Sequence, residues 1–482
     1  MEILPNFIGG RWIPSQSTER VDVFNPALGS VIAKTPLSTR EEVDLAVQAA
    51  KQAFPAWRDT PAAVRAQTMF ALRAKLEASL EELAGIVTTE NGKTLDEARA
   101  SVRRGIECVE VACAAPSLLM GMGLENVSPG IDCHLVREPL GVCAVIAPFN
   151  FPAMVPLWFL PFALVAGNTL VLKPSEQVPL SMKRVFELLA ECGLPPGAAN
   201  LVNGGPAVAD SLCEHPDVKA VSFVGSTGVA RHIHQKASHA GKRVQALGGA
   251  KNFIVVMPDA DLERAMPAIV ESFFGCAGER CLAGAVLLPV GPIHAHVRVQ
   301  MVEAARALRV GDGTDTRVTM GPVISAKHRL RVIEYIETGV AEGARLLLDG
   351  RGLKVTGRPK GFFLGASVFD EVKPSMTIAR EEIFGPVASI CAVKSLDEAG
   401  AIIDAHPNAN AASIFTSSGK AAREFSRRVP VSMVGVNIGV AAPMAYFRFG
   451  GARDSFFGDL KAQARDAFEF YTDKKVTISR WF

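Results

Sequence analysis

From Gly141 onward, short apolar runs alternate with amphipathic stretches of helical length, and this alternation narrows the fold more than any other feature. GVCAVIAP reads as a buried strand, residues 153–165 as a helix, and TLVLKP as the next strand. LSMKRVFELLAECG is a helix ending at Gly193, followed by ANLVNG (strand), AVADSLCEH (helix), AVSFVGS (strand) and GVARHIHQKASHAGK (helix). Strands apolar along their whole length, with a helix between each pair, predict a parallel sheet covered on both faces.

A second series starts near Gly248. NFIVVM reads as a strand, DLERAMPAIVESFFG as a helix capped by Asp261, and HAHVRVQMVEAARAL and SAKHRLRVIEYIETGVAEGA as further helices. RLLLD, ASIFTS and VGVNIG are strands, and SLDEAGAIIDAH and AAREFSRRV are helices. A chain of 482 residues is too long for one ordinary domain. Two α/β domains joined near residue 247 accommodate both series. Residues 45–122 are Ala-rich and helical and are expected to pack on the first domain. The terminal FEFYTDKKVTISRW has strand composition and needs a partner edge, in this chain or in another subunit.

Composition removes several classes of function. Lys plus Arg (51) nearly balances Asp plus Glu (49), so there is no electrostatic case for nucleic acid or an anionic membrane. Nine cysteines without a C-x-x-C pair read as free thiols in a reducing, cytoplasmic compartment. The pairs His232/His234 and His294/His296 lack metal-site spacing, so no metal is expected. The N-terminus has no basic stretch followed by an apolar run, and no signal peptide is expected. Residues 139–172 carry no charge, but Pro148, Pro152, Pro156 and Pro161 argue for buried strands around a helix rather than a membrane span.

Four local patterns can carry chemistry. FVGSTGVA sets Gly225, Ser226 and Gly228 between a strand and a helix, where free N–H groups favour an anion. TLVLKPSE ends a strand in Lys173, Ser175 and Glu176, a cation and a carboxylate suited to ribose hydroxyls. FFGCAGERCLAG puts Cys281 among small residues and beside Arg280, a cation expected to favour the thiolate. Spacing alone does not choose between Cys281 and Cys276. PFNFP places Asn150 within the uncharged run, where its amide can donate to an oxyanion or be satisfied by backbone. EEIFGPV adds Glu382 and Phe384 before a Gly-Pro turn.

In order along the chain, PFNFP, LKPSE, FVGST, L-G-G, G-x-x-C and EEIFGPV together resemble the aldehyde dehydrogenase superfamily. The resemblance runs from FIGGRW near the N-terminus to the last strand. It implies a Rossmann-like NAD domain (1–122 and 140–247), a second α/β catalytic domain (248–450) and a small β oligomerisation element (123–139 and 451–482). It implies a homo-oligomer, either dimer or tetramer. By the same resemblance Cys281 is the nucleophile, and Asn150 and the Cys281 N–H hold the oxyanion. Ala147, Phe149, Lys173, Glu176, Gln177, Ser226, Gly248, Glu382 and Phe384 would contact NAD. Glu176 would disfavour the 2′-phosphate of NADP.

Hydrolytic members carry a glutamate that activates water in E-L-G-G-K; QALGGAKN places Ala246 at that position. An alanine takes no proton, so either the chain is inactive, or another base such as Glu382 serves a hydrolytic reaction giving the free acid, or, as is expected, a thiol acceptor such as coenzyme A replaces water. APFNFPAMVPLW, GERCLAG, VNIGVAAPMAYFRF and FYTDKKV resemble the CoA-acylating methylmalonate-semialdehyde dehydrogenase branch. That branch decarboxylates its acidic semialdehydes to acyl-CoA, and Arg104 and Arg280 match two arginines associated with substrate or CoA. Ala230 and Gln177 depart from the pattern, where a glycine and an arginine are usual. A methyl at 230 would be expected to crowd the cofactor.

Overall fold

The computed structural model describes residues 2–482. The first series forms a sheet whose five central strands are parallel, in the order Ala199–Leu201, Thr169–Lys173, Val142–Ile146, Val218–Val224, Arg243–Leu247. Antiparallel edges close it: Asn6–Ile8 and Arg11–Ile13 on one side, Phe456–Phe457 on the other. The chain runs outward from Val142–Ile146 to Ala199–Leu201, then crosses back to Val218–Val224. The strand order therefore reverses between Val142–Ile146 and Val218–Val224, and a crevice opens at the C-terminal ends of these two strands.

The second sheet has seven strands, in the order Arg345–Leu348, Ser367–Asp370, Val387–Ile390, Gly284–Pro289, Asn252–Val256, Ala411–Phe415, Met433–Val436. All pairs are parallel except the first. Chain passes from one sheet to the other between Leu247 and Asn252. The helices Ala62–Ala78, Leu80–Asn91 and Leu95–Cys113 pack together and share their core with the first sheet.

Most elements lie where hydrophobic period placed them, and Asp261 caps its helix by accepting from Arg264 N. The helix expected over 153–165 is instead two short ones, Met154–Leu157 and Leu160–Val165. Pro161 has no N–H to continue the ladder, so the chain restarts there. FEFY is helical, within Ala464–Phe470 and the turn after it, and the terminal strand is Thr472–Arg480. Its partner edge lies in the same chain: all nine residues pair antiparallel with Ile131–Pro139, which pairs in turn with Met122–Ser128. Among the described residues, no helix is long and apolar enough to cross a membrane.

Candidate active site

The loop bearing Cys276 and Cys281 follows the helix Leu262–Phe274. Cys276 (φ 51°), Ala277 (φ 52°) and Gly278 (φ 76°) are all left-handed, an uncommon run for side-chain-bearing residues. A Cβ on Gly278 would meet Gly385 O at 2.2 Å, so glycine alone lets this loop lie against the Gly-Pro turn of EEIFGPV. Glu97 Oε1 accepts from Cys276 N at 2.6 Å, while its Oε2 accepts from Thr94 N in the capping box of Leu95–Cys113. Past the turn, Asn252 and Asn410 donate to Cys281 O at 3.0 and 2.9 Å. The segment from Cys276 to Cys281 is thus pinned from three separate elements.

Two cavities meet at Cys281. One, of about 550 Å³, opens at the strand reversal and is lined by Ala147, Phe149, Gln177, Gly248 and Phe384 among others. The other, of about 480 Å³, is lined by Arg104, Arg280 and Cys276. Cys281 lines both. The sequence-predicted residues therefore converge on one centre from two sides.

In the larger cavity, Lys173 Nζ donates to Glu176 Oε2 at 3.2 Å and to Pro174 O at 2.8 Å. This fixes an ammonium and a carboxylate at a strand end, the arrangement a ribose diol requires. Ser226 caps the helix Thr227–His239 without a side-chain capping bond and lines the cavity, so its hydroxyl and the first-turn N–H groups are suited to an anion. These residues fit a dinucleotide. Ala230 is fully buried among Ile233 and Phe223 rather than lining the cavity, so its methyl does not crowd the cofactor as expected. Glu382 Oε1 accepts from Ala250 N at 2.8 Å, and a Cβ on Gly249 would meet Glu382 Oε2 at 2.3 Å. The second glycine of L-G-G makes room for that carboxylate.

Asn150 is buried and donates one Nδ2 hydrogen to Glu279 O at 3.0 Å, leaving the other for an oxyanion. Its loop is held by Lys93 Nζ on Asn150 O (2.6 Å) and Asn91 Nδ2 on Phe149 O (3.1 Å). Lys93 also lies 3.9 Å from the Phe151 ring centre, and burial lowers its pKa. Glu279 is buried too, and burial pushes its carboxyl up to about 8.

One expectation about Cys281 is corrected. Arg280 does not stand against the Cys281 thiol: its Nε is 3.3 Å from Cys276 Sγ, and its guanidinium pairs with Glu97 (3.6 Å) and Glu271 (3.3 Å). Although Cys281 is partly exposed, its thiol is pushed up to about 12, by burial first and the Glu382 carboxylate second; Arg280 offsets little. Ala246 is buried, packed with Ala230 and Ile233, and carries no proton acceptor.

Arg104 donates to Glu107 at 3.0 Å and to Pro443 O, and shares the smaller cavity with Arg280. Arg103 points elsewhere, to Glu77. His232 and His294 pair with Asp210 and Asp370, each at 2.8 Å. Sequence reasoning did not single out Lys93, Glu97, Asn252, Glu279, His328 or Asn410. Only the T-x-x-E spacing of Thr94 and Glu97 carried a readable sign, and it marks a helix start rather than a site.

Residues 12–477 match the model of the aldehyde dehydrogenase family. The chain belongs to this family. It is 48% identical over 479 residues to malonate-semialdehyde dehydrogenase 1 of Geobacillus kaustophilus, covering 99% of this chain and 98% of that one. It is 50% identical over 477 residues to malonate-semialdehyde dehydrogenase 2 of Geobacillus thermodenitrificans, covering 99% of each. The fold superposes with a TM-score of 0.98 on methylmalonate-semialdehyde dehydrogenase of Oceanimonas doudoroffii, at 45% identity over 100% of this chain and 99% of that one. A Sinorhizobium meliloti protein assigned to the same activity and solved with NAD gives 0.99 at 40% identity, covering 100% and 98%.

Proposed function

We propose that the protein oxidises a malonate- or methylmalonate-type semialdehyde to an acyl-CoA, with NAD as hydride acceptor, coenzyme A as acyl acceptor and loss of carbon dioxide. The observation that carries this reading is the meeting of a dinucleotide-shaped cavity and a two-arginine cavity at one thiol. Arg104 and Arg280 receive the substrate carboxylate, which holds the aldehyde carbon toward Cys281. Cys281 Sγ, its proton released to solvent, attacks that carbon. Asn150 Nδ2 and the Cys281 N–H donate to the oxygen that becomes negative. NAD, when bound, would supply the hydride acceptor; loss of hydride from the adduct gives a thioester on Cys281, whose carboxylate departs as carbon dioxide while the electron pair of the broken C–C bond takes a proton from solvent.

Ala246 stands where hydrolytic members carry the glutamate that activates water, and it takes no proton. A thiol needs less help than water, and its attack on the thioester releases the Cys281 thiolate. Glu382 is a poor substitute base, because its carboxylate is held by Ala250 N. Lys173 and Glu176 hold the adenosine ribose, and the Glu176 charge selects NAD over NADP. Self-association runs through residues 123–139 and 451–482.

The test follows NADH formation from malonate semialdehyde with and without coenzyme A. Acetyl-CoA should accumulate, and turnover should stall after a burst when coenzyme A is omitted. Equal turnover without it, with free acid as product, sinks the acylating reading. Cys281→Ala should abolish the burst and Cys276→Ala should retain it; the reverse would reassign the nucleophile.

A further inference from the structure

One ring in the wall of the larger cavity has no part in the chemistry above. His328 lies on the first turn of the helix Ala326–Ala341, 6.4 Å ring to ring from both Phe149 and Phe384, which are 5.8 Å from each other. The three rings meet edge to face and form one side of the cavity beside Cys281. His328 Nε2 is 2.6 Å from Phe384 O and 3.4 Å from Glu279 Oε1. Both neighbours are oxygens, so the tautomer with its hydrogen on Nε2 is the one the surroundings favour. Burial keeps the pair uncharged, lowering the imidazole pKa and raising that of the carboxyl.

Phe384 needs this support. Its φ is 58°, a left-handed backbone that a large side chain rarely adopts. The next residue, Gly385, offers the carbonyl against which Gly278 closes. Glu279 joins the two sides. Its Oε1 accepts from Ile324 N at 3.1 Å and lies against His328, while its main-chain carbonyl accepts from Asn150 Nδ2 at 3.0 Å. The contacts that set the cavity wall and those that aim the oxyanion donor therefore share one residue, two positions before Cys281.

We propose that His328 is a positioning residue for hydride transfer: it holds Phe384 in its left-handed turn, so that Phe384 and Phe149 confine the nicotinamide, and it ties that wall through Glu279 to the nucleophile loop. The inference rests on reading the cavity as the dinucleotide site. Without the Nε2–H, Phe384 O loses its donor and the turn relaxes. The ring then stops defining where the reacting end of the cofactor lies. Substrate capture and the intrinsic reactivity of Cys281 depend on other contacts.

The test compares full-length wild type with His328→Phe, which keeps a flat ring without a donor, and His328→Gln, which keeps a donor. NAD binding is measured by calorimetry, the dehydrogenase by kcat and KM for NAD, and Cys281 by cofactor-free esterolysis of p-nitrophenyl acetate. H328F should weaken NAD binding and raise its KM by about tenfold, the size of one lost hydrogen bond plus relaxation. Esterolysis should fall by a smaller factor, and H328Q should recover most of the binding. H328F binding NAD like wild type, or losing esterolysis as much as NAD affinity, overturns the proposal. His328→Met repeats the donor-free arm if H328F does not fold. Wild type that binds no NAD would fail the dinucleotide reading itself, an outcome separate from any difference between variants.

Discussion

The Cys281 thiol is pushed up to about 12 because the protein around it disfavours a thiolate and Glu382 adds a like charge. A group whose pKa is raised this far is protonated across the neutral range, and its thiolate fraction grows tenfold with each unit of pH. Iodoacetamide alkylation of Cys281 in the cofactor-free protein should therefore climb from pH 7 to pH 10 without levelling. A plateau near pH 7 would show that the thiol is already ionised. Glu382→Gln should quicken the reaction at pH 9, because the second cause of the shift is removed. Adjacency in sequence suggested the opposite, with Arg280 as the activating cation. The left-handed turn at Cys276 and Ala277 is what misled it, since it folds the guanidinium back over Gly275 and Cys276. At Ala246, by contrast, the absent carboxylate is legible in the sequence itself.

Lys93 tests how far the site depends on a residue with no chemical role of its own. Its buried ammonium donates to Asn150 O and lies over Phe151. Lys93→Met keeps the volume and removes the donor, leaving a buried carbonyl unpaired at about 1–3 kcal/mol. We expect kcat/KM to fall by about tenfold or more with a chain that still folds. Unchanged kcat/KM would show that Asn91 alone holds the loop.

Among the elements, the helix Leu95–Cys113 does most to connect fold and site. Its capping-box Glu97 reaches Cys276 N and Arg280 as well as Thr94 N. Glu97→Gln keeps one acceptor oxygen and loses the charge; Glu97→Ala loses both oxygens and the charge. The alanine variant should melt lower, by about 1–3 kcal/mol for the cap and the unpaired amide, and should lose more activity than the glutamine variant. Equal melting temperatures would confine Glu97 to electrostatics. A second element-level link joins the helix Ala464–Phe470 to the three-stranded sheet, where Arg137 pairs with Glu469. That pair and Lys474 hold the Glu469 carboxyl at about 2, below its ordinary 4.5. The ionised form is favoured in the folded protein, so the contribution is complete above about pH 4.5 and disappears as pH falls toward 2. Melting temperatures of wild type and Arg137→Met should differ at pH 7 and converge across that window.

Period and caps located most helices around the second sheet, because an amphipathic stripe and an Asp or Ser cap are local properties. The strands Gly284–Pro289, Ser367–Asp370 and Val387–Ile390 were not found, although they form the middle of the second sheet. The last two are four residues each and lie among irregular chain, too short for alternation to show. Gly284–Pro289 is a plain apolar run with glycine and proline at its ends, and it was missed beside the cysteine motif that precedes it.

For the whole molecule, the two-sheet plan was legible because each βαβ unit repeats the same pattern, whereas the closure of the first sheet by Phe456–Phe457 was not. Two residues of strand, some 200 positions from their partner, leave no periodic trace. The terminal strand found its partner within the chain, but that pairing does not cover the sheet it builds. Met122–Ser128 is an exposed edge along all seven residues, and Leu124, Val136, Val476, Ile478 and Trp481 are exposed as well. An edge strand with apolar side chains on this scale invites a second copy. Val476 and Ile478 lie on one face of the last strand, two residues apart. Changing both to aspartate should leave the pairing of Thr472–Arg480 with Ile131–Pro139 in place, because its hydrogen bonds are backbone to backbone. Sedimentation should then give the single-chain 51.3 kDa, with wild type at a multiple of it. A double variant that sediments like wild type would move the assembly surface away from this sheet.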